Sequence, residues 1–186
     1  MNQEKIQQKR TFDPTNPLDI HFRIAEAEFR RFCTSRNVEE VTLNTNRDIE
    51  TGFQAKQEEF MRMYGEEAPE AKAILAFHGT PTMTNIDNIL KSNFDDRYIV
   101  KYDYGFGHYF SEFPDVALRY AGETNALILC LILPGKSHDF PEGSKPSSVA
   151  DGYNSNRIEA DKMGRGREIV IPNPAQIFPR YVVHLN

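Results

Sequence analysis

Glu168-Ile169-Val170-Ile171, Ala175-Gln176-Ile177-Phe178 and Arg180-Tyr181-Val182-Val183-His184-Leu185 end the chain as three short apolar runs divided by prolines. Runs of this length, rich in β-branched and aromatic residues, predict strands. No helical pattern lies between them, whereas parallel neighbours in a sheet need a long crossover, usually helical. The pattern therefore predicts mixed or antiparallel pairing and an α+β fold. Upstream, Ala126-Leu127-Ile128-Leu129-Cys130-Leu131-Ile132-Leu133 is the strongest strand signal, stopped by Pro134-Gly135. Ala73-Ile74-Leu75-Ala76-Phe77 is a second continuous apolar run, as expected of a strand buried on both faces.

The remaining elements fall around these strands. Residues 1–17 are polar, carry Pro14 and Pro17, and predict a flexible arm before a single domain over 18–186. Phe22, Ala25, Phe29 and Phe32 recur at helical spacing and predict a helix from Asp19 to about Thr34. A strand is expected over residues 37–43, then a helix capped by Asn46 or Asp48 that buries Ile49, Phe53, Phe60 and Tyr64. Short helices are expected over 84–90 and 113–120, the latter with Pro114 in its first turn. Residues 93–107 and 136–166 read as loops; the second has little apolar periodicity and much Gly, Ser, Asn and Pro.

Composition narrows the function classes. With 39% hydrophobic and 26% charged residues in 186, one compact domain is expected and disorder is not. No stretch approaches the roughly 20 apolar residues of a membrane span, and the polar start lacks a secretory signal. We therefore expect an intracellular protein, cytoplasmic or nuclear, with no membrane partner. Cys33 and Cys130 both fall in apolar patterns and are expected as buried thiols, with no disulfide. A formal charge of -5 disfavours a broad electrostatic grip on nucleic acid. Lys162, Arg165 and Arg167 form a short basic cluster, expected as a solvated face.

Gly105-Phe106-Gly107 lacks the third glycine and the βαβ setting of a dinucleotide-binding loop. His78, His108 and His138 lack the short paired spacing of a zinc site, so no metal is expected. More specific is an ordered set of three segments: an apolar strand ending in Phe77-His78-Gly79-Thr80, then Gly105-Phe106-Gly107-His108-Tyr109-Phe110 before a helix ending in Arg119-Tyr120-Ala121, then Glu168 opening a strand. From about residue 20 onward the chain resembles the catalytic domain of the poly(ADP-ribose) polymerase family. The likeness takes in residues 46–60 and Gln176-Ile177-Phe178-Pro179-Arg180-Tyr181.

That resemblance implies an ADP-ribosyltransferase fold of split mixed and antiparallel sheets flanked by short helices. It implies no cofactor: NAD is a consumed substrate whose ADP-ribose passes to an acceptor as nicotinamide leaves. It also implies a catalytic set of His78, Tyr109 and Glu168. By similarity Gly79 offers main-chain hydrogen bonds to the carboxamide, His78 a contact to the adenine ribose, and Tyr120 and Tyr109 flat faces for the nicotinamide ring and its ribose. Thr80, Arg97 on the family's donor loop, Ala117 and Tyr153 complete the expected NAD contacts. Gly152-Tyr153-Asn154-Ser155 resembles the tail of the acceptor loop.

Glu168 fits its position when Ala175-Gln176-Ile177 is matched without a gap; a slip of one residue would put Arg167 or Ile169 there. Ala117 departs from the serine that many family members carry, and Ser111 has no evident way to replace it. A protein acceptor is expected first and a nucleic-acid acceptor second, with single-unit and chain transfer both open. A catalytically silent module that binds NAD, ADP-ribose or a protein in the same cleft is the alternative. An RNA-end-modifying transferase of the same broad fold would need a basic cleft, against the acidic balance.

Overall fold

The computed structural model describes residues 3–7, 12–99, 103–141, 143–159 and 167–186. Nine strands and four α-helices alternate as β1 (Gln3–Gln7), α1 (Pro17–Arg30), β2 (Val38–Asn44), α2 (Arg47–Tyr64), β3 (Ile74–His78), α3 (Met83–Ser92), β4 (His108–Phe110), α4 (Pro114–Leu118), β5 (Ala126–Ile132), β6 (Ser137–Phe140), β7 (Ser155–Ile158), β8 (Glu168–Ile171) and β9 (Ile177–Leu185), counted among the described residues. The fold is α+β. One sheet runs β1-β2-β9-β5-β3, antiparallel throughout, and the other runs β4-β8-β7-β6, in which only β6 and β7 are parallel.

Burial on both faces explains the unbroken apolar run of β5. Leu127 and Leu129 turn towards α1, where Phe22, Ala25 and Phe29 pack with Val41, Phe77 and Val183. Ile128, Cys130 and Ile132 turn the other way, against Phe110, Ile169 and Ile171 of the second sheet and Ile86 and Leu90 of α3. The second layer of the core is thus the space between the sheets. α2 closes one end with Phe53 and Phe60 against Leu133 and Phe178. Both cysteines are buried. Among the described residues no helix is long and apolar enough to cross a membrane.

Several boundaries and two element assignments differ from expectation. Five residues of the expected arm are an edge strand: β1 pairs with β2, and Ile6, 4% exposed, joins the α1-side core. The expected loop over 136–166 contains β6 and β7, which apolar periodicity could not reveal because β7 buries Ser155 and Asn156. β9 runs on through Pro179, which sits opposite Cys130 where the register with β5 shifts; a bulge is where a sheet tolerates a residue without N–H. β3 is half-buried over much of its length, since only Ala76 and Phe77 are sealed. α1 and α4 end at Arg30 and Leu118, earlier than Thr34 and Tyr120.

Candidate active site

The site begins where the two sheets meet and part. Phe77 and Ser111 exchange a pair of main-chain hydrogen bonds, Phe77 N–H to Ser111 O at 2.7 Å and Ser111 N–H to Phe77 O at 3.0 Å. In antiparallel register the next such pair would be Gly79 with Tyr109. It does not form. The Tyr109 carbonyl instead accepts from His78 Nδ1 at 2.9 Å, and the main-chain N–H and C=O of Gly79 have no hydrogen-bond partner among the described residues. A cleft of about 300 Å³ opens at this divergence, within the size range of small-molecule sites.

Each lining group has a local cause. The His78 ring lies edge-on to Phe94 at 4.8 Å and beside Phe110 at 5.6 Å. Burial among these rings lowers its pKa to about 4, although the bond to the Tyr109 carbonyl works in the opposite direction. The imidazole is therefore neutral at pH 7, and with its proton on Nδ1 it presents Nε2 as an acceptor. At Gly79 a Cβ would stand 1.9 Å from the Ala117 carbonyl oxygen, so it is the backbone of α4 that requires a glycine here. Ala117 is buried and lines the cleft without a polar group.

Tyr109 has a fully engaged hydroxyl: it donates to Gly105 O at 2.8 Å and accepts from Tyr104 N–H at 2.9 Å. Burial, and then the nearby Glu168 carboxylate, push this phenol up. Tyr120, half exposed just beyond α4, donates a long hydrogen bond of 3.4 Å to Glu168 Oε1. Burial and the same carboxylate raise its pKa to about 12. Glu168 is only 3% exposed and opens β8 opposite Ile158. Its neighbour Arg167 is fixed by the Ser111 hydroxyl, which donates to Arg167 O at 2.6 Å and accepts from Phe113 N–H at 3.1 Å. That hydroxyl is committed, and cannot donate in place of the one Ala117 lacks.

His78, Gly79, Tyr109, Ala117, Tyr120 and Glu168 thus line one cleft, although His78 and Glu168 are 90 positions apart in the chain. Three other expected contacts lie elsewhere. Thr80 is buried, and its hydroxyl accepts from Asn85 Nδ2 at 3.0 Å. Arg97 is turned back onto Asp95, its Nε 2.9 and 3.0 Å from the two carboxylate oxygens. Tyr153 stacks on His138 at 4.5 Å under Lys136. Of the basic cluster, Lys162 and Arg165 lie outside the described residues, while Arg167 is no free solvated charge: it pairs with Glu112 and Glu159, each at 3.3 Å.

Sequence reasoning missed Tyr98, Ile99, Asp103, His108 and Val116 as cleft residues. His108 is adjacent to Tyr109, but a period of two assigns neighbours to opposite faces of a strand. Both reach the cleft because β4 is the edge of its sheet. His108 is buried, with Nε2 3.0 Å from Asp96 Oδ1; burial lowers its pKa and the Asp96 carboxylate opposes that shift.

The chemistry on offer is a neutral imidazole acceptor, two phenol rings, open glycine peptide groups and a buried carboxylate around one hollow. Such a set can hold a planar amide-bearing ring and hydroxyls, and can stabilise positive charge developing between them. Comparison of the chain with protein-family models and with curated proteins returns no match.

Proposed function

We propose that the cleft binds NAD and that the chain is an ADP-ribosyltransferase, passing ADP-ribose to an acceptor as nicotinamide leaves. The observation that carries this reading is the convergence of His78, Tyr109, Tyr120 and Glu168 on one cleft beside the unpaired peptide groups of Gly79. Those peptide groups offer one donor and one acceptor, the complement of a carboxamide. The Tyr120 and Tyr109 rings supply surfaces for the nicotinamide and its ribose. His78 Nε2 suits a ribose hydroxyl because it accepts a hydrogen bond without carrying charge.

Glu168 has the catalytic role. As the glycosidic bond breaks, the ribose carbon acquires oxocarbenium character, and a carboxylate bonded to the ribose 2′-hydroxyl stabilises that state more than the ground state. Its burial at 3% exposure strengthens the effect, since charge interactions weaken in water. Removing a preorganised contact of this kind costs about 3 to 4 kcal/mol of transition-state stabilisation. The same carboxylate can orient an acceptor hydroxyl, so the site is compatible with single-unit and with chain transfer. Protein side chains are the favoured acceptor.

One observation favours a second reading, a silent module that binds NAD or ADP-ribose without turnover: Ala117 brings no hydroxyl to the carboxamide position and the Ser111 hydroxyl is committed elsewhere. Incubation with NAD labelled in its adenylate half separates the two. Transfer by the parent, lost in Glu168→Gln and His78→Ala while both variants stay folded, supports the enzyme. Binding of NAD by the parent with neither transfer nor nicotinamide release supports the silent module, and absence of binding removes both.

A further inference from the structure

Asn156 is fully buried in the middle of the four-stranded sheet, where apolar side chains are the usual occupants. Its register partner on β8 is Val170, which on its other side faces Tyr109. Asn156 and Tyr109 therefore share a face of the sheet with one strand between them. Asn156 Nδ2 donates to Tyr104 O at 2.9 Å and to Ser148 O at 3.1 Å. Both partners are carbonyls, which fixes the orientation of the amide. The same two-residue turn meets Tyr109: Tyr104 N–H donates to the Tyr109 hydroxyl, and that hydroxyl donates to Gly105 O.

The turn is thus held from both sides, and it has no slack. Gly105 has φ +106, and a Cβ there would lie 2.7 Å from Asn156 Nδ2 and 3.3 Å from the Ser148 carbonyl carbon. Phe106 N–H extends the junction to Ser147 O at 3.2 Å. An amide that served only to satisfy buried carbonyls would not need its turn to be wired to a cleft phenol.

We infer that Asn156 is a positioning residue: its amide clamps the Tyr104–Gly105 turn to the Ser147–Ser148 segment and so sets the Tyr109 ring in the cleft. It acts through Tyr109 and touches no reacting atom. The kinetic consequence rests on the reading of the cleft as an NAD site, whereas the mechanical coupling does not.

The test compares the parent with Asn156→Ser, which is too short to span both carbonyls, Tyr109→Phe, and the double variant. In each, hydrogen exchange at the Tyr104 amide is followed by NMR and nicotinamide release from NAD is measured. Exchange at Tyr104 should quicken in both single variants. In Asn156→Ser, kcat should fall about 10- to 100-fold, the scale of a small misplacement in an active site. KM should stay within about threefold. The double variant should be no slower than Tyr109→Phe alone, because both changes cut one chain of contacts. Unchanged Tyr104 exchange in Asn156→Ser, or multiplicative kinetic losses, would overturn the inference. A parent that releases no nicotinamide removes the proposed activity only, and exchange alone then decides. If Asn156→Ser does not fold, Tyr109→Phe reads the same coupling from the far end: exchange of the Asn156 side-chain amide should quicken, and unchanged exchange overturns the inference.

Discussion

Gly79 and His78 are adjacent in sequence and owe their character to different neighbours. A methyl added at Gly79 would stand only 1.9 Å from the Ala117 carbonyl oxygen, so Gly79→Ala must displace α4 or β3. Overpacking against backbone costs about 1 to 3 kcal/mol, and we expect the upper end in urea denaturation, with loss of any NAD binding. His78 enters through pH. Its folded pKa of about 4 lies below the ordinary value of 6.5, so the folded state resists its protonation. The stability that follows is fully present above pH 6.5 and is lost as pH falls towards 4. His21, His108 and His184 are shifted the same way by burial, so the comparison must be differential. Urea midpoints at pH 7 and pH 4.5 should lie closer together in His78→Gln than in the parent; an equal gap would contradict the assignment. His78 and Glu168 were legible in the sequence because one ends and the other opens an apolar strand run, whereas Tyr109 was singled out only by the resemblance of segment 105–110, which carries no strand signal of its own. Arg97 and Tyr153 were not legible, since a side chain that can reach the cleft can equally turn to a neighbour such as Asp95 or His138, and spacing does not encode that choice.

Among elements, the α2 start shows how one side chain can serve two helices. Asn46 Oδ1 caps α2 by accepting from Asp48 and Ile49 N–H, while Nδ2 donates to Leu90 O and Lys91 O near the end of α3. Loss of a cap costs about 1 kcal/mol, and Leu90 O keeps Asn44 Nδ2 as a donor while Lys91 O is near solvent, so Asn46→Ala should destabilise by about 1 to 2 kcal/mol. Asn46→Asp keeps the cap and loses the donors, which should give an intermediate midpoint. The cap was readable as far as Asn46 or Asp48, because either residue before an apolar helical pattern is a local signal; the choice of Asn46 and its second role needed the fold. β6 and β7 were hidden for a related reason. In place of an oily face, the buried positions of β7 include Ser155, whose hydroxyl lies 2.7 Å from that of Ser137, and Asn156, whose Nδ2 donates to the main chain.

For the whole molecule, the α+β class was legible from the helix-free C-terminal runs, whereas the division into two sheets was expected from the family resemblance and not from the runs themselves. Every apolar run reads alike, and only pairing shows that β8 and β9, separated by a few residues, belong to different sheets. The cleft at that division predicts a global effect of ligand. If NAD bridges Gly79 on one sheet and Glu168 on the other, it should raise the unfolding free energy by about 2.7 kcal/mol at 100 times its dissociation constant. Scanning calorimetry checks this, and Glu168→Gln should retain most of the rise if its loss is confined to the reaction. Among the described residues, Phe77 with Ser111 is the only main-chain bridge from one sheet to the other. The remaining adhesion is made by side chains: the His78 imidazole on the Tyr109 carbonyl, and the apolar layer in which Ile128, Cys130 and Ile132 meet Phe110, Ile169 and Ile171. The halves are like two pages joined by one main-chain stitch and one imidazole clasp, and a guest seated beside them touches both pages at once.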